Sequence, residues 1–232
     1  MKPKAKTTPT PKRKRILVVD DHPLMREGVV QWIQRAPGLE VCGQAESAAQ
    51  ALALAGKLKP DLVLTDVSLT GRNGLELIKD LHAQRPDLPV LVLSMHDEAL
   101  YAGRALRAGA RGYLMKRAGG DRVVEAIGEV LSGRIALSPA MATQLLEEYS
   151  GGRSRSGRAV LPQLTDREFE IFQLFGEARS NREIAGQLHL SPKTVETHRM
   201  NLKRKFKLKS AAELLRFALQ YTEQESSGRL EG

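Results

Sequence analysis

Five short apolar runs, each followed by a segment with helical periodicity, constrain the fold of this chain more than any other feature. The runs predicted as strands are Ile16–Val19, Val41–Ala45, Leu62–Thr65, Val90–Ser94 and Gly112–Met115. The segments predicted as helices are Pro23–Arg35, Ser47–Leu58, Gly74–Gln84, Glu98–Ala108 and Asp121–Leu131. Nearly continuous apolar strands are typical of a parallel sheet covered on both faces, and parallel strands need helical crossovers. The pattern therefore predicts an α/β domain with a doubly wound, five-stranded parallel sheet.

The residues after 162 predict a small all-α domain of four helices. Thr165 and Glu168 have the spacing of a capping box, which marks a helix start, and Ser191 followed by Pro192 marks another. The predicted helices begin at Thr165, span Asn181–Leu188, run from Pro192 to about Phe206, and span Ser210–Gln220. Short helices of which the middle two are joined by a tight turn are typical of a helix-turn-helix module.

Composition divides the chain further. Residues 1–14 are rich in Lys, Pro and Thr and predict a basic disordered tail. The α/β domain is expected over residues 15–134, and a helix and a flexible linker over 135–162, because 151–162 are rich in Gly, Ser and Arg. The helical domain is expected over 163–222, followed by a disordered tail over 223–232.

The charge of the chain is uneven and indicates a partner for its C-terminal part. Residues 1–15 carry seven Lys or Arg and no acid, residues 16–150 carry 14 basic and 17 acidic side chains, and residues 151–232 carry 15 and 10. A basic helical domain favours a polyanionic partner, of which double-stranded DNA is the one that helix-turn-helix modules bind. The basic tail either adds non-specific DNA affinity or is simply solvated.

Several classes of protein are excluded by what the sequence lacks. The single cysteine, Cys42, excludes an internal disulfide framework. No apolar run approaches the roughly 20 residues that cross a bilayer, and the Lys-rich N-terminus lacks the apolar core of a signal peptide. We therefore expect a cytoplasmic protein with no membrane association.

Acidic residues stand where the first and third predicted strands end. Asp20 and Asp21 follow the first strand, and Asp66 follows the third. Ligands of doubly wound sheets bind beyond the carboxyl ends of the strands, so the three carboxylates converge if these strands are neighbours. Crowded carboxylates favour a hard divalent cation, and a small site of oxygen ligands favours Mg²⁺.

A hydroxyl and an ammonium follow at the ends of the fourth and fifth strands. Ser94 ends the fourth strand, and Lys116 follows the fifth. Each of these residues alone is more often a solvated turn or surface residue. Together, a metal, a hydroxyl and an ammonium around one carboxylate form a receptacle for a phosphoryl group on that carboxylate.

The segments VVDDHPLMREG, LTDVSLTGRNGLEL, LSMH and ARGYLMK resemble the receiver domain of bacterial two-component response regulators. The resemblance implies that Asp66 accepts a phosphoryl group from the phosphohistidine of a sensor histidine kinase. It implies that Asp21, Asp66 and the backbone carbonyl of Ser68 ligate Mg²⁺, with Asp20 acting through water. It also implies that Ser94 and Lys116 bind the phosphoryl oxygens, and that Tyr113 is the aromatic residue that swings inward when Ser94 moves.

Some positions near this site are particular to the chain. Leu69-Thr70 stands where the family usually has Met-Pro, and Arg117 stands where many members have Pro. Neither change removes a functional group. Ser68 and His96 lie two positions beyond Asp66 and Ser94, where members of the family tune hydrolysis of the phosphoryl group.

The third helix of the second domain leads into a basic run. Residues 199–209 contain no acid and carry Arg199, Lys203, Arg204, Lys205, Lys207 and Lys209. Such a run is usually a solvated face. Here it belongs to the helix that follows the turn of a helix-turn-helix, where basic side chains contact DNA phosphates.

The segments LTDRE, SNREIA, LHLSPKTVETH and NLKRKF resemble the LuxR-type domain of NarL/FixJ-family regulators. The resemblance implies that Pro192–Phe206 is the recognition helix, and that Ser210–Gln220 forms a homodimer interface. The side chains expected to be exposed near the front of the recognition helix are Lys193, Thr194, Glu196, Thr197, His198, Arg199 and Met200. Those expected to read bases are Glu196, Thr197 and Met200, and those expected to contact phosphates are Lys193, Thr194, His198, Lys203 and Lys205. Ala178 stands where relatives usually have Gly.

The two domains together predict a DNA-binding transcription regulator switched by phosphorylation, and no enzyme beyond the chemistry at Asp66. One alternative is a Mg²⁺-dependent phosphatase, but enzymes of the haloacid-dehalogenase type carry Asp-x-Asp on the first strand, and this chain has adjacent aspartates. A second alternative is a receiver that serves only for dimerisation. The sequence leaves open the kinase, the signal, the operator, activation or repression, the phosphoryl lifetime and the mode of inhibition.

Overall fold

The computed structural model describes residues 13–69, 73–149, 164–188 and 190–227. The chain forms two compact units that divide between Ala142 and Thr143. Most of the predicted N-terminal tail and the whole 151–162 stretch of the predicted linker lie outside the described residues.

The first unit alternates strands and helices as the sequence predicts. Its strands are β1 (Lys14–Val19), β2 (Leu39–Ala45), β3 (Leu62–Thr65), β4 (Val90–Ser94) and β5 (Gly112–Met115). Its helices are α1 (Pro23–Arg35), α2 (Ala48–Leu58), α3 (Gly74–Gln84), α4 (Glu98–Ala108) and α5 (Gly120–Leu131), and α6 (Pro139–Tyr149) crosses into the second unit. One boundary of the predicted tail is wrong: Lys14 is part of β1, because its amide donates a hydrogen bond to the carbonyl of Gly38 at 2.8 Å.

The order of the strands decides which loops meet. All neighbouring strands are parallel, and the order is β2-β1-β3-β4-β5. Val19 of β1 pairs with Thr65 of β3, so the next residues, Asp20 and Asp66, leave the sheet side by side. The condition on which the predicted acidic site depends, that these strands are neighbours, is therefore met.

Both faces of the sheet are buried, as the apolar strands predict. Ile16 and Val18 of β1 belong to a core cluster with residues of α1 and α5, among them Ile33 and Ile127. The alternate residue Leu17 is also fully buried, and α2 packs against β1. Helices on both faces leave the ends of the strands as the part of the domain where polar side chains gather.

The segment after α5 adds a short pairing at the outer edge of β5. Ala136 bridges Gly112 in parallel orientation, and its carbonyl accepts a hydrogen bond from the amide of Tyr113 at 2.9 Å. The amide of Ser138 donates to the carboxylate of Glu98 at 2.9 Å, and the Ser138 hydroxyl accepts from an amide in the first turn of α6. The start of α6 is therefore attached to β5 and α4.

The second unit contains the four predicted helices, α7 (Asp166–Gly176), α8 (Asn181–Gln187), α9 (Pro192–Lys205) and α10 (Ala211–Ser227). The Thr165 capping box is confirmed, Ser180 forms a second one, and Ser191 caps α9. The predicted C-terminal tail is wrong in part, because α10 continues seven residues beyond the expected end at Gln220. Residues 221–227 contain no Gly or Pro, so nothing local stops the helix before Gly228.

An aromatic cluster holds this unit together. The ring of Phe172 in α7 lies 5.1 Å from that of Phe206, just after α9, and 5.7 Å from that of Phe217 in α10. Helix α8 packs against α9. Among the described residues no helix is long and apolar enough to cross a bilayer.

Candidate functional site

The centre of the site in the first unit is a buried lysine between two aspartates. Nζ of Lys116 lies 2.7 Å from Oδ2 of Asp66 and 2.7 Å from Oδ2 of Asp20, and all three side chains are at most 5% exposed. Burial disfavours the ammonium, but the two carboxylates outweigh it and raise the pKa of Lys116 above its ordinary value. The ammonium therefore stays charged and offsets the repulsion between Asp20 and Asp66.

The loop after β3 surrounds the other oxygen of Asp66. Oδ1 accepts hydrogen bonds from the amides of Val67 at 2.6 Å and Ser68 at 3.2 Å. Gly74, at the start of α3, packs against this loop so closely that a Cβ there would stand 2.1 Å from the carbonyl oxygen of Asp66. The position of Asp66 is therefore set by backbone contacts on both sides of the loop.

Four side chains form a group that could hold a metal ion. Each of Asp20, Asp21, His22 and Asp66 offers one ligand atom, and these atoms lie within 4.8 Å of one another. The three carboxylates fit a hard divalent cation, since oxygen is the ligand that such ions prefer. The sequence did not single out His22, whose Nδ1 lies 2.8 Å from Oδ1 of Asp21 although its side chain is 66% exposed. The only feature of the sequence that could have marked His22 as a ligand is its position directly after Asp20 and Asp21.

Ser94 and Tyr113 lie next to each other behind the aspartates. Both residues are fully buried. The Tyr113 hydroxyl donates to the carbonyl of His96 at 3.0 Å, and the Ser94 side chain is close enough to act on its pKa. Burial raises the pKa of Tyr113 above its ordinary value, so its hydroxyl stays protonated. The Tyr113 ring therefore takes the inward position in this structure.

Ser68 and His96 form a contact across the mouth of the site. The hydroxyl of Ser68 lies 2.7 Å from Nε2 of His96. The His96 ring in turn stacks on Tyr101 of α4 at a centroid distance of 4.6 Å. The loops after β3 and β4 are therefore linked beside Asp66.

In the second unit, only some of the side chains expected on the front of α9 are exposed. Lys193, Glu196, Thr197 and Met200 are exposed as expected, and Met200 is 58% exposed. The expectation that Thr194, His198 and Arg199 are equally exposed is wrong, because all three are half-buried. Arg199 lies against Phe175 of α7 and donates to Asn181 of α8, and His198 lies near Glu168 of α7.

Two of the basic side chains of α9 are not freely exposed. Lys205 is paired with an acidic residue of α7, and the His198 ring is partly buried. Nζ of Lys205 lies 2.5 Å from Oε2 of Glu168, which is itself 4% exposed. The Nδ1 atom of His198 is buried and lacks a hydrogen-bond partner among the described residues. Burial lowers the pKa of His198 below its ordinary value. Lys203 is half-buried on the same helix.

Comparison with known proteins gives these two units a family. The family model of the response regulator receiver domain matches residues 16–128, and that of the luxR family of bacterial regulatory proteins matches residues 162–218. The response regulator GacA of Pseudomonas aeruginosa is 36% identical over 208 residues, which cover 89% of this chain and 96% of that protein. The chain belongs to the NarL/FixJ family of two-component response regulators.

Further relatives agree with this assignment. The nitrate/nitrite response regulator protein NarL of Escherichia coli is 35% identical over 198 residues, covering 85% of this chain and 91% of that protein. A solved LuxR-family two-component response regulator from Aurantimonas is 36% identical, with a TM-score of 0.56, and the match covers 60% of this chain and 99% of that one. This response regulator is therefore a DNA-binding transcription regulator with an N-terminal receiver and a C-terminal LuxR-type helix-turn-helix domain. The predicted fold class and the predicted family are confirmed.

Proposed function

We propose that Asp66 accepts a phosphoryl group from the phosphohistidine of a sensor histidine kinase, and that this modification promotes binding of a homodimer to double-stranded DNA. The observation that carries the proposal is the convergence of Asp20, Asp66 and Lys116 at one edge of the sheet. The family implies a kinase partner for the receiver and DNA for the C-terminal domain.

The transfer needs one nucleophilic oxygen and compensation of charge. A carboxylate oxygen of Asp66 bonds to phosphorus, the P–N bond of the phosphohistidine breaks, and its electron pair stays on the imidazole nitrogen. The product carries more negative charge than the free carboxylate. Nζ of Lys116 already lies 2.7 Å from Oδ2 of Asp66, and Ser94 is the last residue of the neighbouring strand β4. The Lys116 ammonium and the Ser94 hydroxyl are therefore both available to a phosphoryl oxygen.

Mg²⁺ is the proposed cofactor, held by Asp20, Asp21, Asp66 and the backbone carbonyl of Ser68. When bound, the ion supplies positive charge that offsets the repulsion between the incoming phosphoryl group and the aspartates. The clustered carboxylate oxygens support this assignment. Asp20 is paired with Lys116 in this structure, which agrees with a role for Asp20 through water.

The proposed switch runs from the phosphoryl group through Ser94 to Tyr113. Ser94 moving towards a phosphoryl oxygen would change the buried surroundings of the neighbouring Tyr113 side chain. The main chain of Tyr113 is paired with Ala136, three residues before α6 begins at Pro139. A change at Asp66 therefore has a short route to the start of α6.

For DNA recognition we propose α9 as the helix in the major groove. Glu196, Thr197 and Met200 are the proposed base contacts, and the proposed phosphate contacts are Lys193, Thr194, His198, Lys203 and Lys205. Lys205 would have to exchange its contact with Glu168 for a phosphate. The exposed Leu215 of α10 supports this helix as the proposed homodimer interface. A regulator of this kind acts where the chromosome is, so we propose the cytoplasm as its location.

The test uses the full-length protein with acetyl phosphate or a cognate kinase and Mg²⁺. Asp66→Asn is expected to abolish labelling, whereas Asp121→Asn, which changes an exposed carboxylate of α5, is expected to leave it intact. DNA binding measured with and without phosphorylation completes the test. A label that persists at another residue in Asp66→Asn contradicts the proposal. DNA binding by an unchanged protein that takes no label, or labelling without any effect on DNA binding, favours a receiver that only dimerises. Turnover of a generic phosphomonoester favours a phosphatase.

A further inference from the structure

The exposed carboxylate of Glu196 is held in place by two neighbours. Nδ2 of Asn181, the first residue of α8, donates a hydrogen bond to Oε2 of Glu196 at 2.7 Å. A guanidinium nitrogen of Arg199 lies 3.5 Å from the same oxygen, although the Glu196 side chain is 52% exposed. Among the described residues both partners contact Oε2, which leaves Oε1 to accept from a base.

Arg199 is committed to this arrangement rather than to the solvent. Its guanidinium donates to Oδ1 of Asn181 at 3.0 Å, and Cζ lies 4.7 Å from the centre of the Phe175 ring. Its side chain is only 23% exposed, in contrast to the exposed Arg204 further along α9. The three polar groups of Asn181, Glu196 and Arg199 therefore form a closed set that joins α8 to α9.

A carboxylate in the major groove needs such support. DNA phosphates repel it, and the only base donors that it meets there are the exocyclic amines of cytosine and adenine. An ammonium or guanidinium next to the carboxylate reduces the repulsion, and a fixed position avoids the entropy cost of ordering a free glutamate on binding.

We propose that Asn181 and Arg199 are positioning residues that hold the Glu196 carboxylate for an exocyclic amine in the major groove. Arg199 is then not a phosphate contact, despite its place in the basic run. This inference rests on the proposed reading of bases by Glu196.

The test is selection of binding sites from random duplexes by the full-length protein, together with affinity measured over a range of salt concentrations. Asn181→Ala and Arg199→Met are expected to lose about fivefold in discrimination at the same base pair as Glu196→Ala, since one good base contact is worth at least that much. Their salt dependence is expected to equal that of the unchanged protein, because no phosphate contact is lost. Arg204→Met and Asn201→Ala are the matched controls, because they remove a guanidinium and a side-chain amide elsewhere on α9. Both are expected to keep the sequence preference.

The outcomes distinguish base reading by Glu196 from the positioning of Glu196 by Asn181 and Arg199. If Glu196→Ala shifts the preference but Asn181→Ala and Arg199→Met do not, the positioning role is wrong and base reading stands. If Glu196→Ala shifts nothing, base reading by Glu196 is wrong, and the positioning role falls with it. A shallower salt dependence in Arg199→Met would make Arg199 a phosphate contact. Should Arg199→Met unfold, Asn181→Ala at the half-buried start of α8 decides the question.

Discussion

Nζ of Lys116 lies 2.7 Å from Oδ2 of Asp66, the proposed phosphoacceptor. The same nitrogen makes an equal contact with Asp20, so one ammonium joins the ends of β1, β3 and β5. The Lys116 ammonium takes up part of the space between the carboxylates, and its positive charge weakens their attraction for a divalent ion. If Mg²⁺ binds as proposed, Lys116 competes with it for the same carboxylates in the unphosphorylated protein.

Replacing Lys116 is expected to strengthen Mg²⁺ binding. Lys116→Met removes the competing positive charge, and a change of only about 1.4 kcal/mol in binding free energy tightens the dissociation constant tenfold. Titration calorimetry measures the effect, with Lys57→Met in α2 as a control that loses an exposed lysine. An unchanged or weaker affinity in Lys116→Met would show that Lys116 does not oppose the ion.

Gly74→Ala is expected to damage the loop that carries Asp66. The added Cβ would stand 2.1 Å from the carbonyl oxygen of Asp66 and 2.8 Å from Cα of Val67, so backbone has to move. We expect a loss of about 2 kcal/mol in stability and slower labelling by acetyl phosphate. Gly56→Ala in α2 is the control, since no atom lies within 4 Å of its Cβ, and it is expected to gain about 0.5–1 kcal/mol. Equal effects of the two changes in denaturation would contradict this account.

Ala178→Gly is expected to stabilise the helix-turn-helix domain. Ala178 has a φ of +59°, which is unfavourable for a residue with a Cβ and suits the Gly that the family resemblance implies at this position. The gain should be about 1 kcal/mol in the free energy of unfolding. Ala212→Gly makes the same substitution in an exposed helical position of α10 and is expected to lower stability. The expectation fails if both variants melt at lower temperature than the unchanged protein.

Lys203 and Thr197 are expected to contribute differently to DNA binding. Lys203→Ala should weaken binding to specific and random duplexes alike and reduce the slope of log affinity against log salt by about 0.9, the value of one phosphate contact. Thr197→Ala should change sequence preference and leave the slope unchanged. Affinity measurements on both kinds of duplex check the two roles. A Lys203→Ala variant that alters only preference at constant salt would reverse the assignment.

The helix-turn-helix domain is expected to lose stability as the pH falls below about 6.5. Burial lowers the pKa of His198 from its ordinary value of 6.5, so in the folded protein this group binds a proton less readily than in the unfolded chain. Protonation therefore favours unfolding in the window below 6.5. The lowered pKa of Glu168 acts separately, because its contribution to stability is lost only below the ordinary value of 4.5.

Thermal unfolding of the full-length protein at pH 7.5 and pH 5.5 tests this expectation. Circular dichroism follows both domains, and the fluorescence of Trp32, the one tryptophan, assigns the transition of the receiver. His198→Asn is expected to flatten the dependence on pH in the other transition. A pH dependence identical in the variant would exclude His198 as its source.

Many of the helices and strands of this protein could be predicted from local patterns in its sequence. The bounds of β3, β4 and β5 and of α1, α3 and α4 are as predicted, because apolar periodicity and capping residues act within a few residues of each other. The residues at the ends of the strands could also be named, since a parallel strand always delivers its last residue to the same edge of the sheet. The sequence alone thus determined the two-domain architecture and, apart from His22, the residues that gather at the acidic site.

Pairings between distant residues were decided by tertiary structure. Whether Asp20 and Asp66 meet depends on β1 and β3 being neighbours, and the contacts of Lys116 with both depend on how the loop after β5 turns back. Likewise, packing of α9 against its neighbouring helices leaves His198 and Arg199 half-buried, although their positions in the recognition helix had predicted exposure. Local propensity sets where elements begin and end, whereas burial and pairing energy depend on neighbours that are far away along the chain.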